Sequence, residues 1–156
     1  MLINYMRLAL LTGLIVIGVY SSNPAQSQSL PSHDYEIEGI EVHIDELKRT
    51  AGNTVTLRWS YHNKSDEPKD ITPKGTVKDD KLAQNVELVD IPGKKKYLPL
   101  EDGVEIITRK FTDDVIIPEG QTLKTWVKFP APPKDVKSID VYIPKVEPFE
   151  GVAIQE

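Results

Sequence analysis

The sequence predicts an all-β protein, an antiparallel β-sandwich of about 7–9 strands, preceded by an N-terminal signal helix. Three observations predict it. Beyond position 34 the apolar residues recur with period 2 rather than 3.6. Turn chemistry built on Gly, Pro, Asn and Asp returns at intervals of roughly 8–15 residues. Past the N-terminal apolar run, no stretch sustains the i, i+3, i+4 pattern of an amphipathic helix.

The N-terminus is read first. MLINYMR carries Arg7 and the amino group, and an apolar run over residues 8–20 follows, beginning at Leu8 and ending at Tyr20. That run fits the roughly 7–15-residue core of a signal peptide. It is short for the roughly 20 residues of a membrane helix. Ala25 and Ser27 place small side chains at the −3 and −1 positions of a cut after Ser27. Residues 1–27 are therefore expected to be a signal peptide. The alternative is an uncleaved anchor from Leu8 to Tyr20, the one membrane contact expected. Either way the remainder is exported: periplasmic, in the cell envelope, or secreted. No Cys follows the apolar run, which excludes a lipid-modified anchor, and the chain has no Cys anywhere. Disulfides and thiol catalysis are excluded with it, although export would permit disulfides; a bacterial envelope setting fits best.

Residues 28–34 read as a flexible leader and residues 35–156 as a single domain, long enough to bury a core without staples. With Arg7 removed, 18 of the 19 basic residues remain against 24 acidic ones, a net charge near −6. Such a domain carries no electrostatic footprint for nucleic acid. Lys94, Lys95 and Lys96 are the only basic run, directly after Pro92-Gly93, and are expected at a solvated hairpin tip.

The strands follow in order. Tyr35 and Ile37 share one face, then Ile40, Val42 and Ile44 continue on the even positions. A one-residue slip moves every side chain to the other face, so Glu38-Gly39 is expected to hold a β-bulge. TVTLRWSYH alternates most cleanly: Val55, Leu57, Trp59 and Tyr61 inward, Thr56, Arg58, Ser60 and His62 outward. Residues 63–68 break it, and a weak edge strand is expected at Asp70, Ile71 and Thr72, ended by Pro73. Residues 74–85 fit one helical turn or a loop. A hairpin is expected from Val86 to Ile91 and Lys96 to Leu100, then strands over residues 104–111, 121–129 and 138–143. In the last two, Leu123, Thr125, Val127, Phe129, Ile139, Val141 and Ile143 face inward. The pattern implies an immunoglobulin-like two-sheet sandwich, with a closed barrel as the alternative. Phe149, Val152 and Ile154 are expected to fold back and plug the open end of the core.

No motif for catalysis or phosphate binding is present. His33 falls in the leader; His43 and His62 fall on polar positions of their strands, and no third His or Cys supports a metal site. The acidic pairs Asp79-Asp80, Glu101-Asp102 and Asp113-Asp114 read as solvated turns rather than a Ca²⁺ loop. Asn63-Lys64-Ser65 matches the N-glycosylation pattern. The feature that points outward is Trp126, on the opposite face of its strand from Val127, with Lys124 and Lys128 beside it. An outward aromatic flanked by cations is expected to contact a partner or ligand; the alternative is that a loop covers it or that the strand phase is shifted by one. Tyr142, outward on the last long strand, joins that candidate set.

LVDIPGKKKYLPL (residues 88–100), PEG (118–120) and FPAPPKDVKSIDVYIPKVEPFEGVAI (129–154) together resemble a group of exported bacterial immunoglobulin-like domains of the actinobacterial envelope type. Some of that group accompany peptidoglycan-binding domains of the outer-membrane-protein-A type. The resemblance spans residues 86–154 and is most specific over 129–154. It implies a sandwich fold and an envelope location. It implies no activity, since the group has none agreed.

The expected function is a non-catalytic exported module that binds or supports an unidentified envelope protein or wall component through a sheet face or edge. No enzyme activity and no cofactor are expected. The alternatives are an accessory subunit that pairs through an edge strand and a metal-binding or hydrolytic protein using His43 and His62. An exposed patch around Trp126 or over residues 98–104 would mark the first.

Overall fold

In the computed structural model, which describes residues 31–74 and 82–156, the chain is all-β with several antiparallel sheets. The expected signal helix and its cut, and the Asp79-Asp80 pair, lie outside the described residues. Among the described residues no helix is long and apolar enough to cross a membrane.

The strands are β1 (Ser32–Asp34), β2 (Ile40–Thr50), β3 (Thr54–Asn63), β4 (Lys69–Asp70), β5 (Glu87–Asp90), β6 (Lys95–Tyr97), β7 (Glu101–Asp102), β8 (Glu105–Ile106), β9 (Ile116–Ile117), β10 (Thr122–Pro130), β11 (Ser138–Tyr142) and β12 (Phe149–Ala153). One four-stranded sheet has the order β1-β2-β3-β10 and a second the order β12-β11-β5-β6. β4 with β9 and β7 with β8 form two-residue pairs beside them. The inward residues of both large sheets meet in one core, a sandwich-like arrangement. The first sheet contributes Val55, Leu57, Trp59, Tyr61, Val127 and Phe129, and the second Ile139, Val141 and Phe149, with Ile143 directly after β11; all are buried. Burial of one such side chain contributes roughly 1.5–3 kcal/mol.

β3 is central, between β2 and β10, and this changes its outward face. Thr56 and Ser60 are buried as well. Their hydroxyls are satisfied by neighbours on β2: Thr56 by Thr50 at 3.1 Å and Ser60 by Asp45 at 2.9 Å.

Several expectations are corrected. The phase change at Glu38-Gly39 is a hairpin turn between β1 and β2, not a bulge. The amide of Tyr35 donates to Ile40 across it, and Gly39 sits at φ +87°, where a Cβ would also meet Ser65 at 2.9 Å. Ser32, His33 and Asp34, expected in the leader, form β1 as a consequence. The bulge lies further on, between Ile44 and Glu46, and shifts the inward phase of β2 from Ile44 to Leu47. Over residues 104–111 only β8 forms; Thr108 then bridges to Val127, so residues 107–109 line the outer edge of β10. The expected strand at residues 70–72 is β4, one residue earlier, paired with β9.

The tail is a strand rather than a plug. β12 pairs with β11 and buries Phe149 and Val152 in the second sheet. Ile154 is buried beyond it, and Gln155 forms a parallel bridge to Lys48 of the first sheet. Arg49 completes the tie. Its guanidinium donates to the carbonyls of Pro132 at 2.7 Å, Pro133 at 2.9 Å and Val136 at 3.2 Å, fastening the proline-rich connection to β2.

Candidate functional site: the groove around Trp126

β10 alternates Thr125, Val127 and Phe129 into the core with Lys124, Trp126 and Lys128 on the outer face. Register with β3 sets Trp126 opposite Arg58, Lys124 opposite Ser60 and Lys128 opposite Thr56. Arg109 arrives from the other side, because residues 107–109 run along the β10 edge: the amide of Arg109 donates to the carbonyl of Trp126, and its guanidinium donates to that of Lys124. Half-buried Trp126 thus lies in an open groove of about 570 Å³ lined also by Asp45, Glu46, Arg58, Arg109 and Lys124.

The charges in this groove are unevenly matched. Glu46 pairs with Arg58 at 3.3 Å, and Asp45 accepts from Ser60 at 2.9 Å. Arg109 lies 5.0 Å over the Phe111 ring. Neither Arg109 nor Lys124 has a carboxylate partner among the described residues. Asp45 has no cationic partner among them either, so three cations and two carboxylates leave the groove one net positive charge beside the indole, in a chain whose net charge is −5. A second open groove of about 510 Å³ adjoins the first across Arg109 and Lys124, with Ile116, Pro118, Thr122 and Leu123 on its walls. Ile116 is 54% exposed. The pair of grooves offers an aromatic face, guanidinium and ammonium donors, and an apolar wall, which is the chemistry of binding.

Lys128 shares the outer face with Trp126 but lies outside both grooves; its backbone is engaged by Leu100 and Ile107. Tyr142 is not brought to the site. It pairs opposite Glu87 in the second sheet, on that sheet's outer side. Arg58, Arg109, Asp45 and Glu46 belong to the groove and were not singled out by the sequence. Arg58 alone carried a signal, as the charged residue at an outward position of the cleanest strand.

The two strand histidines share the outer face near the other end of the first sheet. His43 lies opposite Ser60 and His62 opposite Glu41, so they are diagonal neighbours. Each ring is engaged, His43 by Glu41 at 3.0 Å and His62 by Thr122 at 2.9 Å. Burial raises the Glu41 carboxyl, but Lys64, His43 and Ser32 outweigh it, and its pKa falls below the usual range. Among the described residues no three His, Asp or Glu side chains gather as metal ligands. Asn63 is fully buried, with its side-chain amide donating to Glu67 at 2.8 Å and Ile117 at 2.9 Å, so it is a structural residue and not an exposed glycan acceptor. Leu98 and Val104 are exposed and line a separate shallow groove with Pro99 and Ile106.

Fold and groove define an all-β protein with a cationic, aromatic face on one sheet. Compared with known proteins, the chain matches no family model, no curated protein and no solved structure.

Proposed function

We propose that this chain is an exported, non-catalytic module of immunoglobulin-like type that binds or supports another envelope component through the Trp126 face. The observation that carries the reading is the half-buried Trp126 in a groove with two cations that have no acidic partner among the described residues. A folded chain gains little stability from cations without ion-pair partners beside a half-buried indole, whereas interface anchors are enriched in Trp and Arg. The signal-like N-terminus and the resemblance over residues 86–154 support the envelope location. A second reading, an accessory subunit that pairs through a strand edge, is favoured by the short lining of β10, whose outer edge is bridged, among the described residues, only near Val127.

The test is capture from a native envelope fraction with the wild-type chain and a Trp126→Ala variant as baits, alongside binding to isolated wall polysaccharide. The expected outcome is a component retained by wild type and reduced at least about tenfold by the variant, a typical loss for an aromatic anchor. Equal retention by both baits would remove Trp126 from the binding face.

A further inference from the structure

The outer edge of β10 carries information that its face does not. The amide of Asn63 donates to the carbonyl of Gln121, and from there on the odd-numbered residues of β10 exchange hydrogen bonds with β3. The backbone groups of the even-numbered residues 122, 124, 126 and 128 therefore point the other way. At 126 and 128 they meet the passing segment 107–109: Arg109 donates to Trp126, and Lys128 donates to Ile107. At Thr122 and Lys124 no strand meets them among the described residues; the Lys124 carbonyl is taken by the Arg109 side chain alone. The groove walled by Ile116, Pro118, Thr122 and Leu123 lies directly beside this stretch. Apart from the Arg109 guanidinium, which a strand pairing at the Lys124 carbonyl would displace, it is open at the place where a further strand, in line with residues 107–109, would run.

We infer that this edge receives an extended acidic peptide segment, which adds a strand beside Thr122 and Lys124. The inference rests on the reading that the Trp126 face is the binding face and names the chemistry of its partner. Backbone pairing would supply affinity, as in other strand additions. Side chains of an added strand alternate between two sides. Those on one side meet Arg109, Lys124 and Trp126, where carboxylates find two cations that form no ion pair among the described residues. Those on the other meet Leu123 and Ile116, where apolar groups fit. An acidic polysaccharide would satisfy the cations but would leave the apolar wall and the unpaired amides unused.

The experiment titrates the full-length chain with a synthetic peptide of alternating Glu and Val, following intrinsic tryptophan fluorescence and, independently, calorimetry. Three further probes accompany it: the same peptide N-methylated at alternate residues, in both registers; the Lys-Val analogue; and polygalacturonate. Saturable binding of the Glu-Val peptide is expected, weakened at least about tenfold by Lys124→Glu and severalfold when salt rises from about 0.05 to 0.5 M. One N-methylated register should fail to bind, since it cannot pair with the edge. Any of three results overturns the inference: no binding of the Glu-Val peptide, equal binding of both methylated registers, or binding of polygalacturonate in its place. The first or third, with Trp126-dependent capture from the envelope intact, would sink this partner chemistry and leave the binding face standing. Loss of the Trp126 dependence as well would sink both.

Discussion

At the scale of single residues, Asn63 does more than its place at the end of β3 suggests. Its amide reaches Glu67, Ile117 and Pro118, while its Oδ1 accepts from the amide and hydroxyl of Ser65. One side chain thus closes the turn after β3 and holds β9 in place. Replacing it by Ala leaves buried backbone carbonyls without donors, which costs roughly 1–3 kcal/mol for each group left unsatisfied. Asn63→Ala is expected to lower stability by about 2–4 kcal/mol in urea denaturation; a change under about 0.5 kcal/mol would show that water replaces the amide. The sequence presented Asn63 as the first turn residue after the strand and as part of a glycosylation pattern, because both signals are local and the carbonyls at 117 and 118 are far along the chain. Trp59, by contrast, was legible as core from its strand alone, since an inward position between Leu57 and Tyr61 leaves it nowhere else to go.

At the scale of elements, the C-terminal tail was legible as architecture but not as a strand. Pro148 and Gly151, at φ +63°, interrupt the period-2 pattern, and the pairing of β11 with β12 itself shifts between Ile139 and Val141. A pattern that slips in both partners does not announce a ladder. The element's contribution is nonetheless large: it buries Phe149, Val152 and Ile154 and bridges to β2 through Gln155. Deleting residues 148–156 would bare the edge of β11 and remove Phe149, Val152 and Ile154 from the core. The truncated chain is expected either to be unfolded or to melt at least about 10 °C lower, given roughly 2–4 °C per kcal/mol for a chain of this size. An unchanged melting temperature would refute a structural role. The bulge in β2 tells the same story at smaller cost: alternation is readable up to Ile44, and the inserted residue hides the continuation to Thr50.

At the scale of the whole molecule, two tyrosines at one end of the core set the response to alkali. Tyr35 and Tyr61 meet edge to face with ring centroids 5.4 Å apart. Burial, reinforced by Glu36, pushes the Tyr35 phenol up to about 12, and burial pushes Tyr61 up as well. An unfolded tyrosine ionises near 10, so above about pH 10 the unfolded chain releases protons that the native chain retains. Stability is then full below the unfolded value and falls as pH rises through the window up to the native one. The urea midpoint at pH 11 is expected to lie below that at pH 8, and Tyr61→Phe should narrow the difference. Identical midpoints at the two pH values would contradict this assignment.

What the sequence by itself determined is the class of the molecule and the side on which most strand residues fall. Period-2 alternation is a local property, so Val127 and Phe129 could be placed inside and Trp126 and Lys124 outside without knowing any neighbour. Only the tertiary structure decided which outward residues meet. Arg58 stands against Trp126 because β3 and β10 pair across a long stretch of chain, and Tyr142 stands apart because β11 joins the other sheet. The edge at Thr122 and Lys124, met by no strand among the described residues, has the same origin: residues 107–109 cover β10 only as far as Trp126 before the chain turns away. Pairing partners are chosen by the packing of the whole core, and that choice leaves no periodic trace in either strand.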